Sequence, residues 1–169
     1  MSRSHGTGLA PWHFKSLGAE SVFEHGVLVF HPENISIGSN VYVGHYAILK
    51  GYYKGSMEIG DGVWIGQQCF FHSAGDIRIG NNVGIGPGVK ILTSSHSLEP
   101  MIKKAILHQP IQFAPVIIDE GCDLGVNSVV LKGVHLGPLV QVAAGAVVTR
   151  SFSARTIIAG VPAREIGQI

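Results

Sequence analysis

His96 is the residue whose position best suits acid–base chemistry. It is one of nine histidines, and it ends the run Ile91-Leu-Thr-Ser-Ser-His96 just before a long stretch without any repeat. A lone histidine is usually a surface or structurally satisfied residue, but one held between a rigid strand and a loop is well placed for chemistry. Imidazole titrates near neutrality and can therefore take a proton from a hydroxyl or an amine. We interpret His96 as a candidate general base and the adjacent Ser94, Ser95 and Ser97 as polar loop residues.

A repeat of six residues predicts the scaffold that holds His96. Ile, Val, Leu or Phe recurs in steps of six, with two short slips and one long interruption. The fifteen positions are Ile37, Val43, Leu49, Ile59, Ile65, Phe71, Ile79, Ile85, Ile91, Ile118, Leu124, Val130, Leu136, Val142 and Val148. A second small or aliphatic residue follows eleven of them by four positions, so two inward residues flank one outward residue, as in a strand. Three such units close a coil of about eighteen residues, which predicts an all-β parallel β-helix shaped as a triangular prism.

Glycine and cysteine occupy defined places in this repeat. Glycine directly follows eight of the fifteen repeat residues, and we expect it at turns that need unusual backbone dihedrals. Cys69 and Cys122 fall on inward positions. There a thiol packs as a small apolar group rather than acting in redox chemistry.

The slips in the repeat predict the domain organisation. Coils begin near residues 37, 59, 79, 118 and 136, and a partial coil containing Phe23 and Val29 precedes them. Residues 1–20 lack a clear period and are predicted to be a cap, with 21–169 forming a single β-helix domain. The interruption at 93–116 keeps no sixfold register and carries three prolines. Long loops in compact repeat folds are usually functional, so this one should leave a corner of the prism.

Composition limits the classes of partner. Hydrophobic residues make up 46% of the chain and charged residues 14%, with a formal net charge of +1, which favours a packed core and gives no basis for nucleic-acid binding. No apolar run approaches the roughly 18 residues of a membrane helix, and no signal peptide is evident. We therefore expect a cytoplasmic protein without a membrane span.

Residues 35–169 resemble the bacterial hexapeptide-repeat acetyltransferases, especially sugar O- and N-acetyltransferases acting on galactosides, maltose or surface polysaccharides. The resemblance rests on the hexads, on the strand ending in His96, and on Ala143-Ala-Gly-Ala-Val-Val-Thr149-Arg150 followed by Ile158-Ala-Gly-Val-Pro-Ala-Arg164. It implies a left-handed β-helix, a homotrimer with active sites between subunits, and acetyl-CoA as co-substrate with no metal.

The resemblance also implies roles for individual residues. His96 would take the acceptor proton while the acceptor attacks the acetyl thioester directly, and a backbone N–H would stabilise the oxyanion. Ala144 and Thr149 match positions that hold the pantetheine arm, and Arg150 and Arg164 match basic residues near the CoA phosphates. Lys132 replaces the usual proline and is a further candidate phosphate contact.

The acceptor side departs from the family pattern. Asp123 stands where the family has a tryptophan, and its outward position gives it Tyr42, Trp64, Gly84 and Gln141 as expected ladder neighbours. It is either an acceptor-binding or His96-orienting carboxylate or an ordinary solvated residue. His72 and Glu99 are further candidate acceptor-side groups, and Gly167 replaces a basic residue that is frequent in the family.

Several functions remain open at this point. We favour O-acetylation of a sugar in surface-polysaccharide assembly, with N-acetylation of an amino-sugar nucleotide as the alternative. A zinc-dependent hydratase of the γ-carbonic-anhydrase type would need three converging histidines, whereas His45, His72 and His96 occupy different register positions. A non-catalytic β-helix is the remaining class.

Overall fold

The computed structural model describes residues 13–97 and 105–169, in which short strands joined by turns provide almost all of the regular secondary structure. Pro32–Asn34 and Ile106–His108 form single turns of 3-10 helix. The strands in chain order are β1 (Ser16–Leu17), β2 (Val22–Phe23), β3 (Leu28–Phe30), β4 (Ile35–Ile37), β5 (Tyr42–Val43), β6 (Ile48–Lys50), β7 (Met57–Ile59), β8 (Trp64–Ile65), β9 (Phe70–His72), β10 (Ile77–Ile79), β11 (Gly84–Ile85), β12 (Lys90–Leu92), β13 (Ser94–His96), β14 (Ile111–Phe113), β15 (Val116–Ile118), β16 (Asp123–Leu124), β17 (Val129–Val130), β18 (His135–Leu136), β19 (Gln141–Val142), β20 (Val147–Val148), β21 (Thr156–Gly160) and β22 (Ala163–Gln168).

These strands form a triangular β-solenoid of about seven turns. The chain visits three parallel sheets in rotation. The first sheet contains β1, β4, β7, β10, β15 and β18; the second contains β2, β5, β8, β11, β16, β19, β21 and β22; the third contains β3, β6, β9, β12, β17 and β20. Each coil therefore has three flat faces and three corners, as the sixfold repeat predicts.

The repeat residues form the core of the prism. All fifteen are buried, with at most 3% of their surface exposed, and the second inward set is buried with them. Burial of a Val, Leu, Ile or Phe side chain contributes about 1.5–3 kcal/mol, so this stack is the main source of stability. The predicted inward and outward assignment of the repeat is confirmed.

The glycines that follow the repeat residues have a different role from the one expected. None of these eight has a positive φ, so unusual dihedrals do not explain them. A Cβ added to Gly66 would lie 2.5 Å from the Pro87 nitrogen, and one added to Gly125 would lie 2.5 Å from the Ala144 nitrogen. Glycine is needed because successive corners stack too closely for a side chain.

The two ends of the solenoid differ. β1 lies within the segment assigned to the cap, and it pairs with β4 through Ser36 and Ile37; Leu17, six residues before Phe23, already follows the repeat. At the other end, β21 and β22 form an antiparallel hairpin on the second sheet. Among the described residues, no helix is long and apolar enough to cross a membrane.

The interruption leaves the prism between β12 of the third sheet and β15 of the first. We call residues 93–115 the arm, and the corner between the third and first sheets the arm corner. The described part of the arm is a two-stranded antiparallel ribbon of β13 and β14, in which Ser94 pairs with Phe113 and His96 with Ile111. The predicted excursion is thus confirmed, and His96 lies on it.

Candidate active site

Thr93 fixes the point where the arm leaves the solenoid. Its side chain is fully buried, and its hydroxyl donates to the His72 carbonyl oxygen at 2.6 Å. The same hydroxyl accepts a hydrogen bond from the Gly75 N–H at 2.8 Å. Because both groups belong to the preceding coil, the chain is anchored to the rigid prism three residues before His96.

The ribbon then positions His96 itself. Ala114 N–H donates to the Thr93 carbonyl oxygen at 3.1 Å, and Ser97 N–H donates to the Pro110 carbonyl oxygen at 2.8 Å. These bonds close the ladder on either side of the paired residues of β13 and β14. The backbone of His96 is therefore held by regular strand pairing rather than by a free loop.

The imidazole of His96 has a defined partner. Nδ1 lies 3.1 Å from the Gln109 carbonyl oxygen, and the side chain is half-buried. Since a carbonyl oxygen can only accept, Nδ1 must carry the proton in this contact. In the neutral ring the lone pair then lies on Nε2, which is the atom free to act as a base.

His72 lies next to the root of the arm. It pairs with Leu92 on the neighbouring strand, and its ring is nearly perpendicular to that of Tyr52, with 5.6 Å between centroids. Burial lowers the pKa of His72, and the positive charge of Lys50 lowers it further. His72 is therefore a neutral polar group near the arm at physiological pH.

Two predicted phosphate-binding residues share the arm corner. Lys132 Nζ donates to Gln112 Oε1 at 3.3 Å, and Gln112 pairs with Ser95, the residue before His96. Arg150 follows β20 one coil further on, exposed, with its guanidinium 4.9 Å from the Phe152 ring centroid. Two cations on successive coils beside the arm could bind an extended polyanion.

Thr149 is exposed on the same corner, next to Arg150. The remaining predicted residues lie elsewhere. Ala144 is exposed at the corner between the second and third sheets, while Asp123 and Arg164 are exposed on the second sheet. Glu99 lies outside the described residues.

Comparison with known proteins identifies the architecture. A family model described as the hexapeptide repeat of succinyl-transferase matches residues 115–150. Over 118 residues the chain is 32% identical to a protein of Schizosaccharomyces pombe named as an acetyltransferase, covering 69% of this chain and 55% of the relative. The chain therefore contains the hexapeptide repeat and is similar to acetyltransferases. It spans only about half the length of that curated relative.

Solved structures of hexapeptide-repeat proteins have the same fold. A maltose O-acetyltransferase from Clostridium difficile superposes with a TM-score of 0.66 at 26% identity, covering 94% of this chain and 71% of that one. A variant of AntD, an N-acyltransferase from Bacillus cereus, in complex with dTDP-4-amino-4,6-dideoxyglucose and coenzyme A superposes with a TM-score of 0.82. It is 22% identical, with 92% and 84% of the two chains covered. At this identity the second likeness is one of fold alone.

The two cysteines have the structural role predicted from their place in the repeat. Both are buried and free, and each thiol lies near a glycine carbonyl oxygen of the next coil, Gly86 for Cys69 and Gly137 for Cys122. Burial raises the pKa of each to about 11. Among residues 13–97 and 105–169, no group of three His, Cys, Asp or Glu side chains lies close enough to hold a metal ion.

Sequence reasoning missed the residues that support His96. Thr93 could have been suspected, because it is a polar residue in the middle of the run that ends in His96. Gln109 could not, because it acts through its backbone carbonyl, which any residue supplies. Gln112 is recognisable only once the antiparallel register of the ribbon is known.

Proposed function

We propose that the chain transfers the acetyl group of acetyl-CoA to a sugar or sugar-derived acceptor, with His96 as the general base. The observation that carries this proposal is the hydrogen bond from His96 Nδ1 to the Gln109 carbonyl oxygen. It selects the tautomer whose Nε2 accepts a proton, and it does so on a strand anchored to the prism. Similarity to a relative named as an acetyltransferase supports the reaction class.

The transfer proceeds in one ternary complex. Nε2 of His96 takes the proton of the acceptor hydroxyl as the oxygen attacks the acetyl carbonyl carbon. The tetrahedral intermediate then breaks its bond to sulfur, and the imidazolium returns the proton to the CoA thiolate. A backbone N–H stabilises the developing oxyanion. Most of the acceleration comes from holding acceptor and thioester together in the correct orientation.

The arm corner provides the groups for acetyl-CoA. Lys132 and Arg150 meet the phosphates, because they are cations on successive coils beside the arm. Thr149, on the same corner, holds the pantetheine arm through its backbone. Ala144 lies at another corner of the prism and Arg164 on its second sheet, and both contribute from a neighbouring subunit or to the distal end of the cofactor.

The assembly we propose is a homotrimer with active sites between subunits. The arm exposes four large apolar side chains, Ile106, Leu107, Ile111 and Phe113, with between 46% and 75% of their surface accessible. Exposed apolar groups gathered on one projecting element are typical of an interface. In the homotrimer they pack against the neighbouring prism and close the site around His96.

Oxygen is the acceptor atom we favour, with surface-polysaccharide precursors as the substrate class. The fold shared with AntD bound to an amino-sugar nucleotide supports a second candidate, N-acetylation of such a nucleotide. The two products differ in stability: hydroxylamine cleaves an acetyl ester and leaves an acetamide intact. Treating the labelled product with hydroxylamine therefore distinguishes the two reactions.

The decisive experiment is a thiol-release assay with acetyl-CoA and a panel of sugars and amino-sugar nucleotides. Removing a general base typically costs about 10²–10⁴-fold in rate, so His96→Ala should lose turnover by that factor while remaining folded by circular dichroism. His108→Ala is the matched control, because His108 lies exposed on the same arm and should keep full activity. Turnover of His96→Ala within twofold of the unmodified chain would refute the role of His96.

A further inference from the structure

The outward side chains of the second sheet form a ladder that is interrupted by a glycine. Tyr42, Trp64, Gly84, Asp123 and Gln141 occupy the same register position on five successive strands. The rings of Tyr42 and Trp64 stack with 5.6 Å between centroids and 9° between planes. The next step is Gly84, so the second face of the indole lies beside a residue without a side chain.

Side chains around Tyr42 hold the stacked rings of Tyr42 and Trp64 in place. The Tyr42 hydroxyl interacts with the side chains of Glu24 and Gln67, and Glu24 Oε2 lies 3.6 Å from His45 Nε2. Although it is supported on one face, Trp64 still exposes 42% of its surface. A large, fixed and exposed aromatic ring is already in the conformation that a ligand would require.

The surface next to the exposed face of Trp64 is polar. A Cβ added to Gly84 would lie 2.8 Å from Asp123 Oδ1, so the carboxylate extends over Gly84 in the direction of Trp64. Gln141 follows on the next strand and is exposed. Within the described part of the chain, Asp123 makes no ion pair, so its oxygens can accept from a ligand. We call Trp64, Gly84, Asp123 and Gln141 the Trp64 shelf.

The chemistry of the Trp64 shelf matches a saturated sugar ring. The C–H face of a pyranose is apolar and packs on an indole, whereas its rim of hydroxyls requires acceptors and donors. A purely apolar ligand would cover the Asp123 carboxylate without giving it a partner, which is costly. We propose that the Trp64 shelf binds one pyranose unit of the acceptor. The proposal rests on the proposed function for its choice of a sugar acceptor.

Fluorescence of Trp64 tests the proposal directly. The chain has two tryptophans, Trp12 and Trp64, so in a Trp12→Phe chain the emission reports on Trp64 alone. Maltose and N-acetylglucosamine should change this emission saturably, and the open-chain polyol sorbitol should not. Equilibrium titration of each probe gives its dissociation constant.

Two further substitutions in the Trp12→Phe chain identify the surface that binds. Gly84→Leu fills the gap beside the indole and displaces the Asp123 carboxylate, because a Cβ at Gly84 would lie 2.8 Å from Asp123 Oδ1. The strand accommodates the larger residue, since the carboxylate is the flexible end of its side chain and Tyr42 and Trp64 carry large side chains at the same register position. Asp123→Ala removes the carboxylate that would bind the sugar hydroxyls. Each should weaken sugar binding at least about tenfold and raise the acceptor KM with little change in kcat, as expected when uniform binding is lost. Tyr53→Ala is the matched control, because Tyr53 is a similarly exposed aromatic residue that lies between the third and first sheets, away from the second sheet, and it should leave binding unchanged.

Three results would overturn the proposal: no saturable change with either sugar, unchanged affinity in the Gly84→Leu chain, or a response to adenosine and thymidine but not to sugars. Failure of the proposed function is distinguishable. His96→Ala should abolish thiol release while keeping the Trp64 response, so a chain that binds sugars without any transfer refutes the activity alone. A chain that transfers acetyl groups without the Trp64 response refutes the shelf alone.

Discussion

His72 and His96 illustrate how single residues on one scaffold acquire different properties. His96 is oriented by one backbone carbonyl on the arm. His72 lies on the prism among aromatic rings, with 5.6 Å from its centroid to that of Tyr52 and 6.3 Å to that of Phe70. Lys50 is its ladder neighbour. The imidazole on the arm is thus oriented by a directed hydrogen bond, whereas burial on the prism keeps His72 neutral.

The neutral state of His72 leads to a pH prediction. Burial and then Lys50 lower its pKa below the ordinary value of about 6.5, so the unfolded chain binds the proton more readily than the native one. The stability contributed by neutral His72 is therefore present above about pH 6.5 and declines as the pH falls through that value toward the lowered native pKa.

NMR titration of the His72 ring should show this pKa, and Lys50→Gln should raise it. Lys54→Gln, which removes a cation lying over the Tyr53 ring, is the control and should leave it unchanged; equal effects of the two substitutions would contradict the assignment.

At the scale of elements, the strands of the solenoid could be predicted from the sequence, whereas the strand pairing that orients His96 could not. The positions of Ile37, Ile59 and Ile118 locate the strands of the first sheet, because one buried residue in six is a strong signal. The expected ladder around Asp123 is also confirmed. By contrast, the ribbon pairing that brings Gln109 to His96 joins segments across an interruption without periodicity. No pattern in the sequence encodes that register.

The anchor at the root of the arm can be tested by one substitution. Thr93→Val keeps the shape of the side chain but leaves the Gly75 N–H and the His72 carbonyl oxygen without their buried partner. Leaving such a group unsatisfied costs about 1–3 kcal/mol, so the free energy of unfolding in urea should fall by about that amount, and protease cleavage within the arm should accelerate. Ser95→Ala is the control, since Ser95 is exposed on the same strand pair and should change stability by no more than about 0.5 kcal/mol. Wild-type stability of Thr93→Val would show that the hydroxyl does not anchor the arm.

At the scale of the whole molecule, the candidate groups lie on different faces of the prism. His96, Lys132 and Arg150 belong to the arm corner, whereas Asp123 is on the second sheet. In a triangular solenoid the second sheet lies opposite the corner between the other two, so one chain cannot bring Asp123 to its own His96. Only a neighbouring copy can complete a site that contains both. Handedness and the homotrimer were expected from family resemblance alone, since no spacing within one chain encodes either.

The proposed homotrimer makes the arm the element on which assembly depends. Leu107 and Phe113 expose 75% and 49% of their surfaces, and burying such side chains against a partner contributes about 25 cal/mol per Å² of apolar area. Sedimentation equilibrium should give a mass of about 54 kDa, three times that of the 17.9 kDa chain. The double substitution Leu107→Asp with Phe113→Asp should yield folded monomers that no longer release thiol, because charges replace the apolar contact and the site loses its second subunit. Ile166→Asp introduces a charge at an equally exposed apolar residue of β22 (66%) and should remain trimeric and active. A fully active chain that sediments as a monomer, or a double variant that stays trimeric, would exclude an arm-mediated site between subunits.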